Sequence, residues 1–180
     1  MIIEEKEIKL NIPDGVKWEK FDKHKHYRDI CSLGLKGVDF AFYYKRDLLL
    51  LEIKNYTPSL ESIESTEIRE REREKIKKRL IKELEIKGES KDSLAVTLAS
   101  KLASSTYVLF SRQLKRPKKV TFCALLRLPD ALKGYLPFID ERLRILEAKG
   151  KALLKVRIVV LGEVKAAENI IEALYKKEAQ

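Results

Sequence analysis

Two apolar runs separated by three residues constrain this 180-residue chain more than any other feature. Val38-Asp39-Phe40-Ala41-Phe42-Tyr43-Tyr44 and Leu48-Leu49-Leu50-Leu51-Glu52-Ile53-Lys54 flank the polar Lys45-Arg46-Asp47. Runs this short, bounded by turn residues, read as paired strands. Both are apolar on both faces, so the sheet they enter must be covered on both sides.

The remaining chain supplies that cover. Residues 120–126 and 153–161 read as further strands, and 92–109, 131–148 and 166–177 as helices, the middle one broken near Pro137. Ala95, Ala99 and Ala103 would let the first of these helices approach the sheet closely. Near the N-terminus, Pro13-Asp14-Gly15 predicts a turn joining residues 8–12 and 16–21 as a short hairpin. Residues 22–33 fit either a short helix or irregular chain. Residues 61–87 are highly charged, with a narrow stripe of Ile76, Leu80 and Leu84 and supporting pairs Glu67/Arg71 and Glu74/Lys78. They read as a long helix ended by Gly88, inserted into one domain spanning 1–180. The expected class is α/β, a mixed sheet flanked by helices.

No apolar run approaches the roughly 18 residues of a membrane span, and the chain opens on Ile2-Ile3-Glu4-Glu5-Lys6. This predicts a soluble, cytoplasmic protein without a signal peptide. Cys31 and Cys123 sit in apolar surroundings and suggest no disulfide framework. His24, His26 and Cys31 lack the spacing and ligand number of a zinc site. Charged residues reach 37%, while Gln, Met, Cys and His are scarce, a profile that hints at a thermophilic source.

The net charge is +10, and residues 93–180, with 17 basic and 8 acidic side chains, hold +9 of it. Its densest stretch contains Arg112, Lys115, Arg116, Lys118 and Lys119 without an intervening acid. Such a surface favours phosphate backbones, hence nucleic acid; a solvated loop is the plainer alternative.

Chemistry is concentrated in the central hairpin. If Lys45-Arg46 forms a two-residue loop, Tyr44 faces Asp47 and Asp39 falls opposite Glu52, with Lys54 on the same face. Two carboxylates roughly 5 Å apart in an apolar sheet repel unless a cation lies between them. Hard oxygen donors suit Mg2+ or Mn2+, with Lys54 beside the ion to act on water or on a scissile phosphate. Glu-x-Lys occurs seven times in the chain, but only Glu52 lies on a buried strand opposite an acid. The bland alternative is an Asp39–Lys54 salt bridge at the sheet edge with Glu52 exposed. Among the aromatic residues, Tyr56 stands just beyond the apolar run as a possible base-stacking ring.

Gly37-Val38-Asp39-Phe40 followed by Leu49-Leu50-Leu51-Glu52-Ile53-Lys54 resembles the core motif of the PD-(D/E)XK, or restriction-endonuclease-like, nuclease superfamily. Val38 takes the place where that family often has Pro. The resemblance implies a restriction-endonuclease-like fold and metal-dependent phosphodiester hydrolysis, with Asp39 and Glu52 as metal ligands and Lys54 as catalytic lysine. A further acid often comes from an N-terminal helix, for which Glu19 and Asp29 are the weak candidates. Many members dimerise, so a homodimer is expected. The reading is therefore a Mg2+- or Mn2+-dependent nuclease acting on DNA. A nucleic-acid-binding or protein-interaction module that keeps the scaffold without cleaving is the alternative.

Overall fold

Tyr44 and Asp47 exchange backbone hydrogen bonds in both directions, at 2.9 and 3.2 Å, so the central hairpin closes in the register expected from a two-residue loop. The structure, a computed structural model, describes residues 1–23, 37–44, 47–57, 94–111, 119–128 and 156–179. It also describes positions 75, 78, 133, 134, 136, 137, 139–141 and 144. The readings for residues 22–33, 61–87 and 131–148 therefore lie largely outside the described residues, as do Asp29, Cys31 and both histidines.

The chain is α/β. Strands β1 (Ile2–Glu5) and β2 (Ile8–Asn11) form a two-stranded antiparallel sheet of their own. The main sheet is mixed and five-stranded, in the order β3 (Lys17–Lys20), β4 (Phe40–Tyr43), β5 (Asp47–Asn55), β6 (Lys119–Arg127), β7 (Val156–Leu161). β4 runs antiparallel to both of its neighbours, β3 and β5, whereas β5, β6 and β7 are parallel. Helix α1 (Leu94–Ser111) leads into β6, and helix α2 (Val164–Ala179) follows β7. Neither is long and apolar enough to cross a membrane, and no other described helix is.

Cover on both faces follows from the strand composition. On β5, Leu48 and Leu50 join Phe122, Ala124 and Leu98 of α1 in one core. Leu49, Leu51 and Ile53 point the other way, into a second core with Ile8, Leu10 and Ile171. The second core is closed by the β1–β2 hairpin and α2, whose apolar residues recur at helical spacing. Glu168 of α2 ties the two together, its Oε1 accepting from the Asn11 backbone N–H at 2.7 Å and from Asn11 Nδ2 at 2.8 Å.

Two expectations are corrected. The Pro13-Asp14-Gly15 turn forms, with the Val16 N–H donating to Pro13 O, but it does not join a hairpin. β2 pairs with β1 and β3 with β4, because the hairpin turn is Lys6-Glu7, both at positive φ (50° and 64°). A turn with two such residues matches the twist of a tight hairpin, although it usually selects Asn or Gly. On α1 the sheet-facing stripe is Leu98, Lys101, Leu102 and Ser105, while Ala103 is exposed. The side chains of Ala95 and Ala99 lie outside the described residues, so the correction concerns Ala103 alone.

Candidate active site

Counting along the strands, Asp39, Glu52 and Lys54 share the face of Ala41 and Leu50, the face covered by α1. The β4–β5 ladder ends at Phe40, and Asp39 begins a different set of bonds. Its N–H donates to Leu51 O at 3.1 Å, its carbonyl accepts from the Phe21 N–H at 2.9 Å, and its Oδ2 accepts from the Ile53 N–H at 2.6 Å. The segment before it is pinned by α1, where Ser105 Oγ accepts the Val38 N–H at 3.0 Å.

Glu52 is wholly buried, and three lysines surround its Oε1: Lys101 Nζ at 2.7 Å, Lys54 Nζ at 3.9 Å and Lys6 Nζ at 4.0 Å. Its Oε2 is also buried and has no hydrogen-bond partner among the described residues. Burial pushes the Glu52 carboxyl above its ordinary pKa, the charge of Asp39 adds to this, and Lys101 and Lys6 only partly offset it. Burial likewise pulls the Lys54 ammonium below its ordinary value; Glu52 opposes the shift, and Lys101 and Lys6 reinforce it.

Lys6 reaches in from the β1–β2 turn. Its Nζ donates to Asp39 Oδ1 and Oδ2, at 3.1 and 3.0 Å, and to Ile53 O at 2.5 Å. Its own carbonyl accepts from Asn55 Nδ2 at 3.0 Å, which holds the turn against the end of β5. One ammonium therefore sits among the oxygens of Asp39, the Ile53 carbonyl and, slightly farther off, Glu52. These are hard donors of the kind that suits a divalent cation, and the unpartnered Glu52 Oε2 adds another. Among the described residues no three His, Cys, Asp or Glu side chains cluster together, so water or substrate oxygens would complete an ion's shell.

The structure thus brings Asp39, Glu52 and Lys54 together and departs from the bland alternative, since Glu52 is buried and Asp39 pairs with Lys6. Glu19 does not join them; its carboxylate accepts from the Tyr43 hydroxyl. Tyr56 is a core residue, not a stacking platform, with its N–H bonded to Arg127 O at 2.9 Å. Of the basic run only Lys119 is described, and it pairs in register with Asp47 at the opposite end of β5 from Glu52. Five residues of strand put them about 16 Å apart, so Lys119 is not part of this cluster.

Two charged participants escaped the sequence reading. Lys101 had a signal, being the one charged residue in the 18 residues of α1, where a lone lysine on an apolar face needs a partner. Lys6 had none, because its approach depends on the unanticipated β1–β2 turn. No protein-family model, curated protein or solved structure matches the chain.

Proposed function

We propose that the protein is a metal-dependent nuclease of the restriction-endonuclease-like type, hydrolysing phosphodiester bonds of DNA. The observation carrying this reading is the convergence of Asp39, Glu52 and the Ile53 carbonyl on one cationic position with Lys54 alongside. The strand order also suits it: an antiparallel meander bears the acids, and a helix then leads to a parallel strand.

A divalent ion bound at that position would supply Lewis-acid polarisation of the phosphate and a more acidic water. Asp39 and Glu52 would hold it, with Ile53 O as a third oxygen. Lys54 presents a half-buried ammonium on the same face, suited to orienting the attacking water or neutralising charge that develops on the phosphate. Lys101 orients Glu52 from behind and fixes which oxygen remains free. The basic excess of residues 93–180 favours a polyanionic substrate.

The test incubates the protein with duplex, single-stranded and branched DNA and with RNA, in Mg2+ or Mn2+ and in chelator, beside Glu52→Ala and Lys54→Ala. Metal-dependent cleavage lost in both variants is expected; full activity in Glu52→Ala refutes the assignment.

One observation favours a second reading. Lys6 and Lys101 already pair with Asp39 and Glu52 without any added ion, an arrangement that a non-catalytic nucleic-acid-binding module keeping the scaffold would also hold. That reading expects no cleavage on any substrate and metal-independent binding that weakens steeply with salt.

A further inference from the structure

We propose that Lys6 is a built-in competitor for the cation of this site, holding the ion's place until a divalent cation expels its ammonium. The inference rests on the reading of Asp39 and Glu52 as a cation site and adds how that site is regulated.

Lys6 Nζ uses both Asp39 oxygens and Ile53 O at once, at 3.1, 3.0 and 2.5 Å. A Mg2+ or Mn2+ ion bonded to any of these oxygens would sit about 2.1 Å from it, hence within about 5 Å of the ammonium. Two cations that close, drawing on the same three oxygens, repel strongly. Charge count points the same way. With Lys6 in place, two carboxylates face three ammonium groups, those of Lys6, Lys54 and Lys101. A divalent ion added without expulsion would enlarge that positive surplus.

Of the three lysines, Lys6 is the one built to leave. Lys101 is anchored on α1 with its side chain 11% exposed, and Lys54, 27% exposed, projects from within β5 itself. The Lys6 side chain is 35% exposed and springs from a two-residue turn whose backbone is held separately by Asn55. Rotation of its flexible stem alone withdraws the charge, with no change in the turn. Expulsion leaves Asp39 and Glu52 to the ion and puts a free ammonium at the rim of the site.

The test measures Mn2+ binding by calorimetry and by the electron paramagnetic resonance of free Mn2+, with no nucleic acid present. It compares the intact chain with Lys6→Ala, Lys6→Arg and Glu52→Gln. Lys6→Ala is expected to tighten Mn2+ binding roughly ten-fold or more, because no charge-assisted bonds have to be broken first. Lys6→Arg should bind as weakly as the natural chain. In the natural chain, saturating Mn2+ should also raise acetylation of Lys6 by acetic anhydride, read by peptide mass spectrometry.

Equal or weaker affinity in Lys6→Ala, with binding still dependent on Glu52, overturns the competition and leaves the cation site standing. Absence of Glu52-dependent Mn2+ binding in every variant overturns both. Should Lys6→Ala fail to fold, the acetylation decides alone: Lys6 reactivity unchanged by saturating Mn2+ overturns the proposal.

Discussion

Replacing Lys101 with methionine tests the electrostatics of the site at its most buried contact. Lys101 Nζ lies 2.7 Å from Glu52 Oε1, and the two side chains are 11% and 0% exposed. At an effective dielectric of 20 that separation corresponds to an attraction of about 6 kcal/mol before desolvation is counted. Removing one partner of a buried pair typically costs about 3–5 kcal/mol, since the other charge stays behind. Lys54 and Lys6, at 3.9 and 4.0 Å, still face the same oxygen and hold the loss near the lower bound, about 3 kcal/mol. For a chain of this size that lowers Tm by about 6–12 °C.

The loss should also depend on pH. Glu52 already has a raised pKa in the fold, so its ionised form counts against stability above the ordinary value of 4.5, increasingly as pH rises through the folded value. Lys101 is one of the groups that lowers that pKa, so removing it raises the value further. Lys101→Met is therefore expected to lose most at neutral pH and to approach the natural chain in acid. Adding Glu52→Gln should recover part of the neutral-pH loss, because no buried charge is then left unpaired. Denaturant titrations at several pH values measure all three. A loss below about 1 kcal/mol with no pH dependence would refute the view that Lys101 carries the compensation of Glu52.

Two further outcomes follow from the packing of the second core. Glu168 is pushed up by burial, but the Asn11 and Lys165 hydrogen bonds outweigh this and leave its pKa lowered. Its contribution is thus fully present above about 4.5 and fades as pH falls through the folded value, so Glu168→Gln should cost about 1 kcal/mol at neutral pH and little in acid, read by thermal melts across pH. Gly15 has φ +85°, and a Cβ there would lie 2.9 Å from the Tyr175 hydroxyl oxygen. Gly15→Ala should therefore destabilise by about 1–2 kcal/mol in chemical denaturation, whereas Tyr175→Phe should lift part of that penalty by removing the crowded oxygen.

Much of the frame was legible because it depends on local rules. The β4–β5 register followed from loop length and period-two alternation, which together bring Asp39 across from Glu52. The long apolar runs located β5 and β6 to within a residue or two, and helical periodicity located α1 and α2 nearly as well. The N-terminal pairing was not legible, since Pro13-Asp14-Gly15 is a stronger turn signal than Lys6-Glu7, yet β3 gains a longer-range partner in β4. The site was half legible for the same reason. Asp39, Glu52 and Lys54 are close in sequence and fixed by one hairpin, whereas Lys6 and Lys101 arrive from 33 and 49 residues away through tertiary packing. Glu168 shows the same limit, meeting Asn11 across 157 residues.

The exchange of hydrogen bonds between Tyr44 and Asp47 makes the charge cluster sensitive to the length of a turn that it does not touch. Because side chains alternate along a strand, inserting or deleting one residue between them would slide β5 by a single step against β4 and invert every side chain of one strand relative to the other. Glu52 would then turn from α1 toward the β1–β2 hairpin, losing Asp39 and Lys101 together, while the apolar run would still bury well on either side. Such a lineage would keep a folded protein and lose its charge cluster at a stroke. The length of that turn, at the far end of β5 from Glu52, therefore fixes the charge cluster as firmly as the acids themselves do.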